Sequence, residues 1–268
     1  MNKAYFVSII NIYFHEPYSS LVNGMIFGVQ LTSNRDFQTE LRNVGLIHIV
    51  VLSGMNISIV ATFISSITSR FSKLSSSLIT ILIITLYAYF VGLEAPIVRS
   101  LIMGVFTHVS FIYGKRATAL YLLFVAGLCS ILIWPEWIKS LSFYLSYGAT
   151  LGLLLFCRHS QPSSDVSRLK LLKYYFIDEL YTSLAAQVFT IPIIFYYFRQ
   201  ISLISPLANI MVAWSILPIS IFGMLAAFLG GIDYYIGLPF AVITYGFAAY
   251  IVIVVHLLSS LPFSAVNF

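Results

Sequence analysis

The chain has 268 residues, 60% of them hydrophobic and only 9% charged, with a formal charge of +5 and a mean hydropathy of +0.96. Soluble domains carry about 25% charged residues, so an ordinary soluble domain is excluded and the class is a polytopic membrane protein. The longest polar interval, Arg158 to Lys173, is too short to enclose a core of its own. The basic excess reads first as loop anchoring on the cytoplasmic side and only second as a site for an anion.

Met1 to Phe14 reads as a membrane-surface helix or as the remnant of a longer N-terminal region; no small-residue cleavage pattern follows before Pro17. Tyr18 to Leu31 is moderately apolar, with Gly24 and Gly28 four apart. Ser33 to Asn43 carries Arg35, Asp36, Glu40 and Arg42, and Phe37, Leu41 and Val44 recur at helical spacing between them. That pattern predicts an amphipathic helix lying in the membrane interface.

Spans are then predicted over 45–67, 75–92, 94–113, 117–134, 140–157, 180–198, 203–229 and 234–261. The third opens on Glu94-Ala95-Pro96, where proline suits a first helical turn, and Trp134 and Trp137 read as interfacial anchors. Pro192 interrupts the sixth span; Pro218 and Pro239 lie inside the seventh and eighth. The fold class is therefore all-α: a polytopic transmembrane bundle of about eight spans, with broken or kinked helices and an N-terminal amphipathic helix. The division expected is an N-terminal segment, 1–44, and a transmembrane domain, 45–268.

Arg70 and Lys73, then Lys115 and Arg116, then Arg158, Arg168, Lys170 and Lys173 occupy alternate loops and make up eight of the fourteen basic residues. The positive-inside rule makes those loops cytoplasmic. Eight alternating spans then place both termini and the 33–43 helix outside, and Asp233 in an inner loop with no basic partner.

No catalytic constellation is visible. His15, His48, His108, His159 and His256 are scattered without metal-ligand spacing, and neither a phosphate-binding GxxxxGK[ST] loop nor a GxSxG elbow occurs. Cys129 and Cys157 read as small hydrophobes. No enzymatic activity, catalytic residue, metal or cofactor is expected. What remains is a short list of polar groups at membrane depth, where each needs a partner or water. Gly45, His48, Ser53 and Asn56 fall within an arc of about 140° on a helix. They mark either a wet face with a break at Ser53-Gly54 or close helix packing. Arg99 either snorkels to the interface or finds a partner, with Glu94 the candidate if the first turn is distorted. Gln187 and Asn209 are the remaining amides and suit interhelical hydrogen bonds. Ser142, Ser146, Ala149 and Gly152 form a close-packing face. The candidate pore or central cluster is thus His48, Ser53, Gly54, Asn56, Glu94, Arg99, Gln187 and Asn209.

LIHIVVLSGMNISIVA resembles the His-Leu-Leu-x-x-Ser-Gly-Leu-His signature of the ComEC competence family. LYAYFVGLEAPIVRSLIMG, SLSFYLSYGATLGLLLF, LAAQVFTIPIIFYYFRQISLISPLAN and the following span with Pro218 are similar to further blocks of that family, in the same order, over roughly Gly24 to Leu229. Asn56 stands where the signature has a second histidine, and Ser100 where the family has alanine. The family's outer OB-like domain and its metallo-β-lactamase-like domain are expected to be absent from this chain, so the nuclease activity suspected of the latter is not carried over. The resemblance implies a channel domain that moves single-stranded DNA across the cytoplasmic (inner) membrane during natural transformation, working with a separate DNA receptor, an ATP-driven motor and a nuclease, alone or as a homo-oligomer in the lipid bilayer. A transporter of a smaller solute on the same scaffold, and a non-conducting remnant, stay open as alternatives.

Overall fold

The computed structural model describes residues 3–29, 35–50, 54–115, 117–157, 168–202, 204–261 and 266–267. Ser53, Arg116, Arg158 and His159 lie outside them. The elements are α1 (Lys3–Tyr13), α2 (Tyr18–Phe27), α3 (Arg35–Val44), α4 (Ile47–Val50), α5 (Gly54–Ile67), α6 (Lys73–Val91), α7 (Ala95–Ile112), α8 (Ala119–Ile133), α9 (Leu141–Phe156), α10 (Arg168–Phe198), α11 (Ser205–Gly230) and α12 (Tyr234–Ser259). Two-residue strands, β1 (Gln200–Ile201) and β2 (Val266–Asn267), pair antiparallel. Among the described residues each predicted span overlaps helix, the first as two separate elements, α4 and α5. By length and apolarity five qualify alone as membrane-crossing among the described residues: α6, α7, the 177–197 part of α10, α11 and α12, with α8 and α9 apolar but shorter. Pro192 does not interrupt its span, since α10 continues from Arg168 to Phe198 through it. A proline removes one donor from the ladder, and in apolar surroundings the neighbouring backbone groups have no better partner than the helix itself.

The interruption lies elsewhere. α2 has ten residues, and Leu21 through Phe27 are all buried. A helix of that length covers about 15 Å, half a bilayer core. It cannot cross, and being apolar all round it must be enclosed by protein. α1, α2, α3, α4, α11 and α12 share one core, in which Phe6, Ile10, Leu21, Val22, Ile26, Leu41, Val44, Val212, Ala227, Ala248 and Val255 are buried. A smaller core of Ile57, Ile84, Ala88, Val91 and Ile97 joins α5, α6 and α7. α1, α2 and α3 are therefore packed into the bundle. The α3 helix forms as its pattern predicts, but Phe37, Leu41 and Val44 are spent on protein rather than left for lipid, and Glu40 reaches His256 Nδ1 of α12 at 3.0 Å. Along α9, Gly152 lets α10 approach closely, since a Cβ there would overlap the Ala185 carbonyl. Of the face expected to pack, Gly152 thus takes that role.

α1 ties two helix connections to one end of the bundle. Lys3 Nζ donates to Val91 O at 2.7 Å, and Tyr5 donates to Gly231 O at 2.9 Å. Phe6 packs on both Phe90 (5.5 Å) and Phe228 (4.7 Å). At the other end Lys73 Nζ stands 5.7 Å over the Phe111 ring, which brings the connections bearing Arg70, Lys73 and Lys115 together. The basic clustering agrees with the charge pattern, but the expected placing of Asp233 does not. The α11–α12 connection lies with that of α6–α7, away from the basic end, so Asp233 needs no basic partner there. The cause is a reversal after α10. Arg199 ends that helix in the left-handed region (φ 54°), and the chain doubles back until Ser205 Oγ meets Gln187 Nε2 at 3.3 Å. α11 thus starts beside the interior of α10, not beyond its end. α12 then returns over about 39 Å and ends beside α3, at the end of the bundle away from α1, so its end does not share the side of Lys3 as eight simple alternations require.

Cysteines introduced singly at Glu94 and Asp233, in a background lacking Cys129 and Cys157, should react with a membrane-impermeant maleimide from the same side. Cysteines at Lys73 and Lys115 should react from the other. Labelling of the position-233 cysteine together with that at position 73 would restore the simple alternating layout.

Candidate functional site

The polar groups singled out in the sequence separate into distinct knots. The first joins α5, α7 and α9. Gly54 opens α5 and is buried; a Cβ there would stand 2.7 Å from Arg99 Nη2 and 3.0 Å from the Pro96 carbonyl, and would overlap Ser100 Oγ. Only a residue with no side chain lets α5 come this close to α7. Arg99 Nη1 donates to the Ser146 carbonyl of α9, and Nη2 donates to Ser100 Oγ at 3.2 Å. The Ser146 carbonyl also accepts from Thr150 Oγ1 at 2.9 Å. Arg99 is therefore turned into the bundle and does not snorkel. Glu94 is not its partner: it caps the start of α7 in extended conformation, exposed, and acts electrostatically on Lys3 of α1. Five residues along the chain, an exposed position and a half-buried one point to different neighbours.

The second knot holds the end of α2. Asn56 is buried at 4% exposure. Its Nδ2 donates to Met25 O at 2.5 Å, and its Oδ1 accepts from Ser220 Oγ of α11 at 3.5 Å. One position further along α2, Ile26 O accepts from the Tyr87 hydroxyl of α6 at 3.2 Å. The last carbonyls of a helix have no partner within it, so at this depth side chains from α5 and α6 supply the donors. Asn23, also on α2, donates from Nδ2 to Asn11 Oδ1 at 2.8 Å.

The third knot joins α10, α11 and the turn before α4. Gln187 Nε2 lies 3.3 Å from both Ser183 Oγ and Ser205 Oγ, and Asn209 Nδ2 donates to Ser183 Oγ at 3.0 Å. Gly45 (φ 77°) faces Ser205, and a Cβ there would fall 2.6 Å from that residue's Cβ. His48 contacts the Gly45 carbonyl through Nδ1 at 3.0 Å. A carbonyl only accepts, so Nδ1 carries the proton and Nε2 is left as an acceptor. His48 is exposed and belongs with Gly45 and Ser205, not with Gly54 and Arg99. A groove of about 370 Å³ between α5 and α11, lined by Ser58, Thr62, Ser66, Phe63 and Leu217 among others, runs beside the second knot.

Gly54 and Arg99 thus meet, Gln187 and Asn209 meet, and Asn56 forms its own clamp, while Glu94 stands apart. The partners Tyr87, Ser183, Ser205 and Ser220 were not singled out from sequence, and Ser146 was read there only as part of a packing face. Hydroxyls are too common in membrane helices to stand out, and only their neighbours mark these five. Among the described residues no group of three or more His, Cys, Asp or Glu side chains is placed to hold a metal ion.

A helix bundle with an apolar exterior, a half-length inner helix and an interior held by amides, hydroxyls and one arginine defines an integral membrane protein of the polytopic helical class. A family model described as competence protein matches residues 25–268, and the chain belongs to that family. Among curated proteins it is 24% identical to ComE operon protein 3 of Bacillus subtilis (strain 168) over 233 residues, 83% of this chain and 28% of that protein. It is 31% identical to an uncharacterized protein of Aquifex aeolicus (strain VF5) over 127 residues, 46% of this chain and 30% of that protein. The chain therefore spans less than a third of the length of these curated relatives. No solved structure matches it.

Replacing Asn56 by leucine should strand Met25 O and lower stability by about 1–3 kcal/mol, the usual cost of an orphaned buried polar group. Asn56→His, which keeps a ring donor, should lose less. Thermal unfolding of the detergent-solubilised protein reads the difference; a leucine variant as stable as the parent would show that the clamp carries no weight.

Proposed function

We propose that this protein is the membrane channel domain through which single-stranded DNA crosses the cytoplasmic membrane in natural transformation. The observation that carries this reading is the competence family match, which takes in α3 to α12 and the end of α2, nearly the whole bundle. The interior supports it in kind: polar side chains recur through the centre of an otherwise apolar body, and a hydrated strand needs such groups.

On this reading the chain is a conduit and not an enzyme. A receptor delivers the DNA, an ATP-driven motor supplies the work, a nuclease removes the other strand, and a homo-oligomer could complete the passage. The basic connections face the cytoplasm by the positive-inside rule, which sets Lys3 and the start of α1 outside. One observation favours a transporter of a smaller solute instead: the knots contain a single guanidinium, Arg99, where single-strand binding sites usually have a basic track with stacking aromatics.

Deleting the gene should abolish transfer of fluorescently labelled DNA into the cytoplasm while leaving its binding at the cell surface intact, and the intact gene supplied in trans should restore it. Uptake unchanged by the deletion would overturn the channel assignment.

A further inference from the structure

Among the described residues three buried side-chain polar atoms have no hydrogen-bond partner: Asn23 Oδ1, Arg99 Nε and Ser146 Oγ. Unsatisfied buried groups are rare enough in native proteins that each calls for a cause. Two of these three stand at the same place, because Arg99 Nη1 is bonded to the backbone carbonyl of Ser146 itself. The same guanidinium reaches Ser100 Oγ through Nη2, and Gly54 withholds a Cβ that would press on it. The carboxylate nearest in sequence, Glu94, is exposed beside Lys3.

Arg99 is half-buried with its Nε enclosed, it pairs with no carboxylate among the described residues, and a charge withdrawn from water without a counter-charge is unfavourable. Here the cation keeps an unused donor, the hydroxyl of the serine whose carbonyl it binds is also unused, and Gly54 lets α5 close directly over Nη2 and Ser100 Oγ. A guanidinium matches two oxygens of a tetrahedral anion at once, and a serine hydroxyl donates to a third. We infer that Arg99, Ser146 and Ser100 form a seat for one phosphate group. If the chain is the DNA conduit proposed above, on which this assignment of the ligand rests, the phosphate belongs to the strand in transit. The seat lies at the junction of α5, α7 and α9, and the measurements below separate a phosphate of the strand from that of a lipid headgroup. A single seat holds one phosphodiester at a time and leaves the rest of the passage neutral, so the strand is registered without being trapped.

The test uses the full chain in phosphatidylcholine nanodiscs, with fluorescent single-stranded oligothymidylate as the probe. Arg99→Gln should weaken binding about ten- to a hundredfold, the range expected for losing charge-assisted hydrogen bonds. Arg99→Lys should fall between, because a point charge remains but the fork is gone. Gly54→Ala should weaken binding by crowding Nη2. An oligothymidylate with uncharged methylphosphonate linkages should bind wild type and Arg99→Gln alike. Size-exclusion profiles and thermal melts establish that each variant is folded. Should Arg99→Gln fail to fold, comparison of the two linkages on the wild-type protein decides alone: equal binding overturns the seat, and loss with methylphosphonate supports it. Displacement of the oligonucleotide by added phosphatidylglycerol from wild type, but not from Arg99→Lys, would assign the seat to lipid and overturn the DNA assignment. If gene deletion abolishes uptake while Arg99→Gln binds and transports normally, the seat fails and the channel reading stands; uptake that survives deletion removes the channel reading and, with it, DNA as the ligand.

Discussion

A helix that stops inside an apolar bundle leaves carbonyls that neither water nor its own backbone can satisfy, and the arrangement of this protein depends on how that is met. The last turn of α2 is answered from two directions, by Asn56 of α5 at Met25 O and by Tyr87 of α6 at Ile26 O. Asn56 also accepts from Ser220, so α11 is drawn to the same point. These bonds link the larger core around α2, α11 and α12 to the smaller one around α5, α6 and α7. Without them the half-helix would have to lengthen, leave or admit water.

The outer frame follows from a second constraint, the docking of α1. Its lysine and tyrosine reach backbone carbonyls of two helix connections far apart in sequence, and Phe6 fills the gap between Phe90 and Phe228. This pins the direction of α11 and explains an acidic connection free of basic residues. Positive charge collects at the opposite end, where Lys73 lies over Phe111. The asymmetry of ends arises from packing and charge together, and it gives the bundle a direction.

Between these constraints the bundle keeps a small amount of polarity in reserve. Asn56, Gln187 and Asn209 act as interhelical glue, each matched to identifiable partners. Arg99 is different: two of its nitrogens are engaged and the third is not.

Hydropathy alone determined the membrane class and the helical segments, because transfer of a side chain into lipid is a local property that a window of sequence reports. It also marked Gly54 with Arg99, and Gln187 with Asn209, as polar groups in apolar runs. The same local information misled at Glu94 and at Pro192. Proximity in sequence did not make Glu94 a partner of Arg99, and a proline did not end α10. Only the tertiary structure decided that α2 is an enclosed half-helix, that α11 runs toward the end holding Lys3, and that Arg99 lies against Gly54 and Ser146. Each of those outcomes depends on which donor finds which acceptor across long stretches of chain, 88 residues in the case of Lys3 and Val91, and no local pattern encodes that choice.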